Sequence, residues 1–262
     1  MKKPTRRNRN IGTAKQGKRR QSWFSIPYNL SKGKIYYEAL THFQKIPLTV
    51  SEQRIMLIVE RTRQKYVHPC TPSDLLTILQ QFPADQLTGI GLIVLRQPKR
   101  KEQILSSVWG RYIYAYEFEE AFHAAIVLEA VEEGSVLKWA KKLSVDELKE
   151  LEALRDDGHH IIQHKRGYHI PLSMETARNT QLYRTLPHEI GHHVHYQSFV
   201  QQDVEEPWEA FSRLPSTEKE GFAHQFANRF MEEMKQKNNI PFSRMDDEAS
   251  LAKWGLDPTD FL

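Results

Sequence analysis

The sequence predicts an α+β fold with a helical N-terminal extension, and three observations predict it. Short apolar, β-branched runs lie near the middle of the chain, at 89–95, 108–116 and 124–131. Amphipathic helical patterns flank them on both sides. Turn residues punctuate the connections, and no block repeats.

Charge divides the chain before any element does. Nine of its 37 basic residues fall within the first twenty positions, where there is no acid, leaving 28 against 33 acids and a net −5 for the rest. Residues 1–22 therefore read as a basic, disordered tail. Its first twenty residues could make a weak, non-specific contact with nucleic acid, while the body carries no bulk charge of that kind. No apolar run approaches the roughly 18 residues that span a bilayer, and the basic start has no apolar h-region behind it. A single cysteine, Cys70, rules out an internal disulfide. The expectation is a cytoplasmic protein with no membrane partner.

Residues 23–85 are expected to form the helical N-terminal region. Thr49 and Glu52 have capping-box spacing ahead of Ile55, Met56, Ile58 and Val59, which predicts a helix to about Tyr66. Thr71, Pro72 and Asp74 open a second, with Leu75, Leu76, Ile78, Leu79 and Phe82 as its apolar stripe and Pro83 as its stop.

Residues 86–262 are expected to form the main domain. Strands at 89–95 and 108–116 are expected to pair as a hairpin across the charged connector 97–103, with a third strand at 124–131. Ser144 and Glu147 open a helix that Gly158 ends. Residues 160–164 and 168–172 form a second hairpin around Lys165, Arg166 and Gly167. Pro171 cannot donate to a sheet ladder and favours an edge position for its strand. Such an edge could hold an extended peptide, or simply be protected by its proline.

From about Thr180 a helical pattern runs to Phe199. Pro187 allows two versions: a helix beginning near Thr185, or a longer one kinked at the proline. An irregular acidic stretch, 201–215, precedes a long helix from Ser216 or Thr217 to about Lys237, stopped by Asn238, Asn239 and Pro241. Trp254, Leu256 and Phe261 pack the C-terminal segment.

Chemistry concentrates in the first of these two helices. His188-Glu189-x-x-His192 places two imidazoles four residues apart, on one face, where both can reach one ion. Two neutral nitrogens plus a carboxylate suit Zn²⁺ and leave a position for a water, which Glu189 could deprotonate. A metzincin is excluded, since His195 stands where glycine would and Ser198 where the third histidine would. The third ligand must be a downstream carboxylate. Glu220 is the leading choice, with Phe222, Phe226 and Phe230 buried and Ala223 and Ala227 small enough for two helices to approach. Glu218 could serve instead, or one of Glu205, Glu206 and Glu209, and Thr217 with Glu220 could merely cap the helix.

HExxH followed by Glu220-x-Phe222-Ala223-x-x-Phe226 resembles the catalytic domains of lethal-factor-like gluzincins and is more loosely similar to ImmA/IrrE-type metallopeptidases. The resemblance covers residues 180–235. It implies a zincin-like mixed sheet with an edge strand above the site, packed on a motif helix and a glutamate helix. It also implies a zinc-dependent endopeptidase acting on a peptide or protein. One departure stands out: the oxyanion-steadying tyrosine expected about two turns before the third ligand is missing from 205–219. Tyr196 is the leading substitute as a catalytic residue, with Tyr183 and His224 as others; His224 could alternatively orient Glu220. Without such a group, the alternative is a catalytically weak zincin-fold binding or regulatory protein, associated with nucleic acid through its tail.

Overall fold

The computed structural model describes residues 39–99, 109–202 and 205–262, all within one compact unit, Glu38–Leu262. The basic tail, the aromatic stretch at 23–28 and most of the 97–103 connector lie outside the described residues. The architecture is α+β with a mixed sheet. Its five strands are, in spatial order, β1 (Phe43–Val50), β2 (Gln53–Glu60), β4 (Ile90–Arg96), β6 (Ala121–Glu129) and β5 (Gly110–Phe118). The central three are parallel, and β1 and β5 pair antiparallel at the two edges.

Two expectations for the N-terminal half are corrected here. The helix from Ile55 to Tyr66 does not form; the stretch is β2, paired with a preceding strand, β1, that the pattern did not suggest. Apolar residues crowd so closely in Ile55, Met56, Leu57, Ile58 and Val59 that both periods fit, and pairing with two neighbours decides for the strand. Ser51 and Glu52 sit in the turn at φ 47° and 69°, the left-handed pair of a tight hairpin, so Glu52 closes a turn rather than capping a helix. Nor is the described part of 23–85 a helical extension, because β1 and β2 share the main sheet with strands from beyond residue 86. The helix Pro72–Leu79 does form, and Thr71 and Asp74 make its capping box.

The hairpin expected between β4 and β5 is also absent. β6 lies between them, parallel to β4 and antiparallel to β5. Among the described residues β5 is thereby the last strand of the sheet. It turns into β6 through Glu119 and Glu120, again a left-handed pair without glycine or asparagine.

A separate three-stranded sheet comprises, in spatial order, β8 (Val136–Ala140), β10 (Gly167–Pro171) and β9 (Ile162–His164). β10 is central rather than an edge: Pro171, at its last position, still lies opposite Val136. A small two-stranded ladder pairs β3 (Tyr66–Val67) with β7 (Val131–Glu132).

The core fills the space between one face of the large sheet and the helices. Ile46, Leu48, Leu57, Ile93, Leu95, Ile126 and Leu128 meet Leu75, Ile78 and Leu79, together with Leu186 and Ile190 of the motif helix and Phe230 and Met234 of the glutamate helix. Phe82 stacks on Phe230, ring centroids 3.9 Å apart. At the C-terminus, Leu256 and Phe261 are buried in the same core. Among the described residues no helix is long and apolar enough to cross a membrane.

Candidate metal centre

Of the two versions that Pro187 allowed, the longer helix is the one formed. Met174–Asn179 continues through a π-helical segment, Thr180–Thr185, into the motif helix, Leu186–Gln201. The proline gives the reason: it has no N–H and its ring would crowd the carbonyl of residue 183 in an α-helical turn. The wider turn relieves both, and the Leu186 N–H reaches the Gln181 carbonyl, five residues back. Arg184, in the widened turn, is tied to Glu150 of the helix Val145–Asp156 and to Asp157 at its C-terminal end.

The glutamate helix spans Ser216–Gln236, and its N-cap is Pro215, without a side-chain cap. Thr217 and Glu220 therefore form no capping box. The two helices cross at Gly191 and Ala223, where a Cβ built on Gly191 would stand 2.9 Å from Ala223 Cα. Any larger residue at 191 would force them apart. The stretch 201–215, expected to be irregular, holds a short helix, Pro207–Ser212.

Glu220 reaches both motif histidines. Its two oxygens lie 3.3 Å from His188 Nε2 and 3.6 Å from His192 Nε2, and the two nitrogens are 3.1 Å apart. A tetrahedral ion with bonds of about 2.0–2.1 Å separates its ligand atoms by about 3.3–3.4 Å, so the three groups have spacings that fit zinc. The Nδ1 atoms of both histidines are buried and have no hydrogen-bond partner among the described residues. Hydrogen bonds from the two rings hold the Glu220 carboxyl well below the usual carboxylate range. Glu220 itself is half-exposed.

His224 offers a further ligand atom. His188, Glu220 and His224 have ligand atoms within 4.8 Å of one another, a set that could itself hold a metal ion. The two motif nitrogens, 3.1 Å apart and both facing the Glu220 carboxyl, make His188, His192 and Glu220 the candidate ligand set, with His224 flanking His188 at a ring-centroid distance of 4.5 Å. Glu218 is not drawn into this group. Its charge acts on His195, whose ring stacks on Phe222 at 4.2 Å.

Glu189 is buried beside the two imidazoles. Burial pushes its carboxyl above the ordinary range, opposed by His188, His192 and a hydrogen bond from the Tyr112 N–H. That bond ties the outer edge of β5 to the motif helix. The Tyr112 hydroxyl adds a second tie, 2.8 Å from His193 Nδ1, while His193 Nε2 donates to the Thr88 carbonyl at 2.9 Å. With Nε2 fixed as the donor, Nδ1 must accept from the phenol.

No family model, curated protein or solved structure matches this chain. The site has to be read on its own geometry.

Tyr196 packs ring to edge with Tyr114, Trp208 and Phe211, at centroid distances of 5.3–5.8 Å. Tyr183 is far from free: its hydroxyl meets Arg178 Nη1 and the Phe242 backbone. The phenol that motif reasoning missed is Tyr114. Burial pushes its hydroxyl up, and the charges of Glu189 and Glu220 push it further, which places Tyr114 within electrostatic reach of both carboxylates. Its signal was present as tyrosines at 112, 114 and 116, spaced by the period of a strand.

Proposed function

We propose that this protein is a zinc-dependent peptidase in which His188, His192 and Glu220 hold the metal and Glu189 moves the proton. One observation carries the reading. Two imidazole nitrogens 3.1 Å apart on one helix face the two oxygens of a carboxylate on the other, at 3.3 and 3.6 Å, and a buried carboxylate stands next to them.

A bound zinc ion would supply Lewis acidity, polarising a carbonyl and bringing the pKa of a water towards neutrality. The remaining work belongs to the chain. Glu189 would accept the proton of the attacking water and return it to the leaving amine, and its destabilised carboxylate makes it a better acceptor. The Tyr112 N–H holds that carboxylate in place. Tyr114, whose hydroxyl has no partner among the described residues, would donate to the carbonyl oxygen as charge develops there. Tyr196 would support its ring.

The strand β5 lies beside the site, its Tyr112 N–H bonded to Glu189, and supports a peptide or protein as substrate. In a zincin-like reading, β5 would take the role that the sequence suggested for β10. A binding role without turnover has one observation in its favour: Tyr196 is engaged by aromatic neighbours.

Cleavage of an unfolded protein by the zinc-loaded chain, followed by gel and mass spectrometry, tests the proposal. Cleavage should stop on chelation and return with zinc. Glu189→Gln should retain zinc yet lose about 10²-fold or more of the rate. Absence of cleavage by the zinc-loaded wild type, or an unchanged rate in Glu189→Gln, would overturn the peptidase reading.

A further inference from the structure

We propose that the outer face and turn end of the β8-β10-β9 sheet bind the phosphodiester backbone of a nucleic acid. The inference is independent of the peptidase reading and rests on a different lobe of the molecule.

Strand register locates the charges. Ala140, the last residue of β8, lies opposite Gly167, the first of β10, which in turn lies opposite His164, the last of β9. Lys141 and Lys142, directly after β8, therefore emerge beside the turn made by Lys165 and Arg166. Lys138, two residues back along β8, lies opposite His169. All five cations are exposed, and none has an ion pair or side-chain hydrogen bond among the described residues.

The two faces of this sheet differ in character. Leu137, Trp139, Tyr168 and Ile170 pack towards Leu151 and Leu154 of the helix Val145–Asp156. Alternation along a strand then sends Lys138, His164 and His169 to the opposite, solvent face. The acids of that helix do not neutralise the patch. Asp146 pairs with Lys149, Glu147 caps its own helix through Ser144, Glu152 pairs with Arg155, Glu150 and the C-cap Asp157 hold Arg184, and Asp156 forms no ion pair with any of the five cations among the described residues.

Like charges crowded at the ends of adjacent strands repel one another, and the fold supplies no counter-charge among the described residues. A nucleic acid supplies closely and regularly spaced negative charge, with counterions that leave when cations replace them. The rings of His164 and His169, 4.2 Å apart, add flat surfaces against which an unpaired base could stack. An acidic peptide or an anionic membrane would share the electrostatics but make no use of those rings.

The test uses the full chain and fluorescence anisotropy with labelled single-stranded DNA, single-stranded RNA and duplex DNA, titrated in salt between about 50 and 200 mM. Because residues 1–20 are also basic, a charge-matched control is essential. The patch variant carries Lys141→Ser, Lys142→Ser, Lys165→Ser and Arg166→Ser; the control carries Arg54→Ser, Arg229→Ser, Lys235→Ser and Lys253→Ser. Circular dichroism establishes that both are folded. The patch variant should bind at least one of the three nucleic acids about 10-fold or more weakly than the control at low salt. Its slope of log K against log salt should be shallower by about 0.7–0.9 for each phosphate left without a cation, or about 3 in total. Equal affinities and slopes for the two variants would overturn the proposal. So would binding confined to polyglutamate or anionic vesicles.

Discussion

Two clusters of ionisable side chains flank the helical run that begins at Met174, and they are satisfied in opposite ways. In the first, Asp74 receives Arg178 Nε and Nη2 at 3.1 and 2.8 Å, the Thr71 N–H at 3.1 Å and the Met245 N–H at 3.2 Å. Arg178 also donates to the Tyr183 hydroxyl and the Phe242 carbonyl, so each charge meets its complement. In the second, two imidazole nitrogens, a carboxylate and a flanking histidine face one another with more acceptors than protons to share. A closed network ties the C-terminal segment to the first helix. The open one has the composition of a cation site, and the difference separates a group that holds the fold from a group that can hold a ligand.

The largest effect that sharpens this contrast is on folding. Asp74→Ala leaves the Arg178 guanidinium buried without its partner and should cost about 3–5 kcal/mol in a denaturant titration. Zinc affinity of the folded fraction should be unchanged. Were Asp74→Ala to reduce zinc binding while sparing stability, the roles of the two clusters would be reversed.

Gly191→Ala comes next. A methyl group there meets Ala223 backbone at 2.9–3.1 Å, with no flexible side chain to yield, and overpacking of this kind costs about 1–3 kcal/mol. Because the same crossing brings Glu220 to the histidines, stability and zinc affinity should fall together. A drop in stability alone would mean that the helices tolerate the shift without moving the ligands.

A graded, pH-dependent effect belongs to His68, which is buried, donates to the Glu60 carbonyl through Nε2, and is lowered from 6.5 to about 4 by desolvation. The folded state disfavours its protonation, so the unfolded chain binds the extra proton first. Stability should therefore be full above about pH 6.5 and decline as pH falls to about 4, by up to about 1.4 kcal/mol per unit. His68→Gln should flatten that decline, and an unchanged pH profile would remove His68 as its cause.

How much of this was legible in the sequence depended on whether local chemistry and tertiary pairing agreed. Thr71 with Asp74 and Ser144 with Glu147 are capping boxes whose helices form where expected. The nearness of His188 to His192 was legible because HExxH fixes a helix face, and that of Glu220 to both because small residues one turn on permit close approach. The N-terminal sheet was hidden by its turns. Ser51-Glu52 and Glu119-Glu120 adopt left-handed pairs that usually call for Asn or Gly, so neither hairpin announced itself. Strand order was invisible for another reason: β6 inserts between β4 and β5, a long-range choice that no local pattern encodes. The same choice left Tyr112 and Tyr114 on an edge strand at the site, far in sequence from the two helices that carry the motif.

The central claim is that Glu220 completes a zinc site with His188 and His192. The most direct measurement is zinc affinity by competition with a chromophoric chelator for wild type, Glu220→Gln and Glu218→Gln, with fold checked by circular dichroism. Glu220→Gln should weaken zinc by about 10²-fold or more, since a neutral amide is a poor partner for the ion, while Glu218→Gln should match wild type. Wild-type affinity in Glu220→Gln would contradict the account.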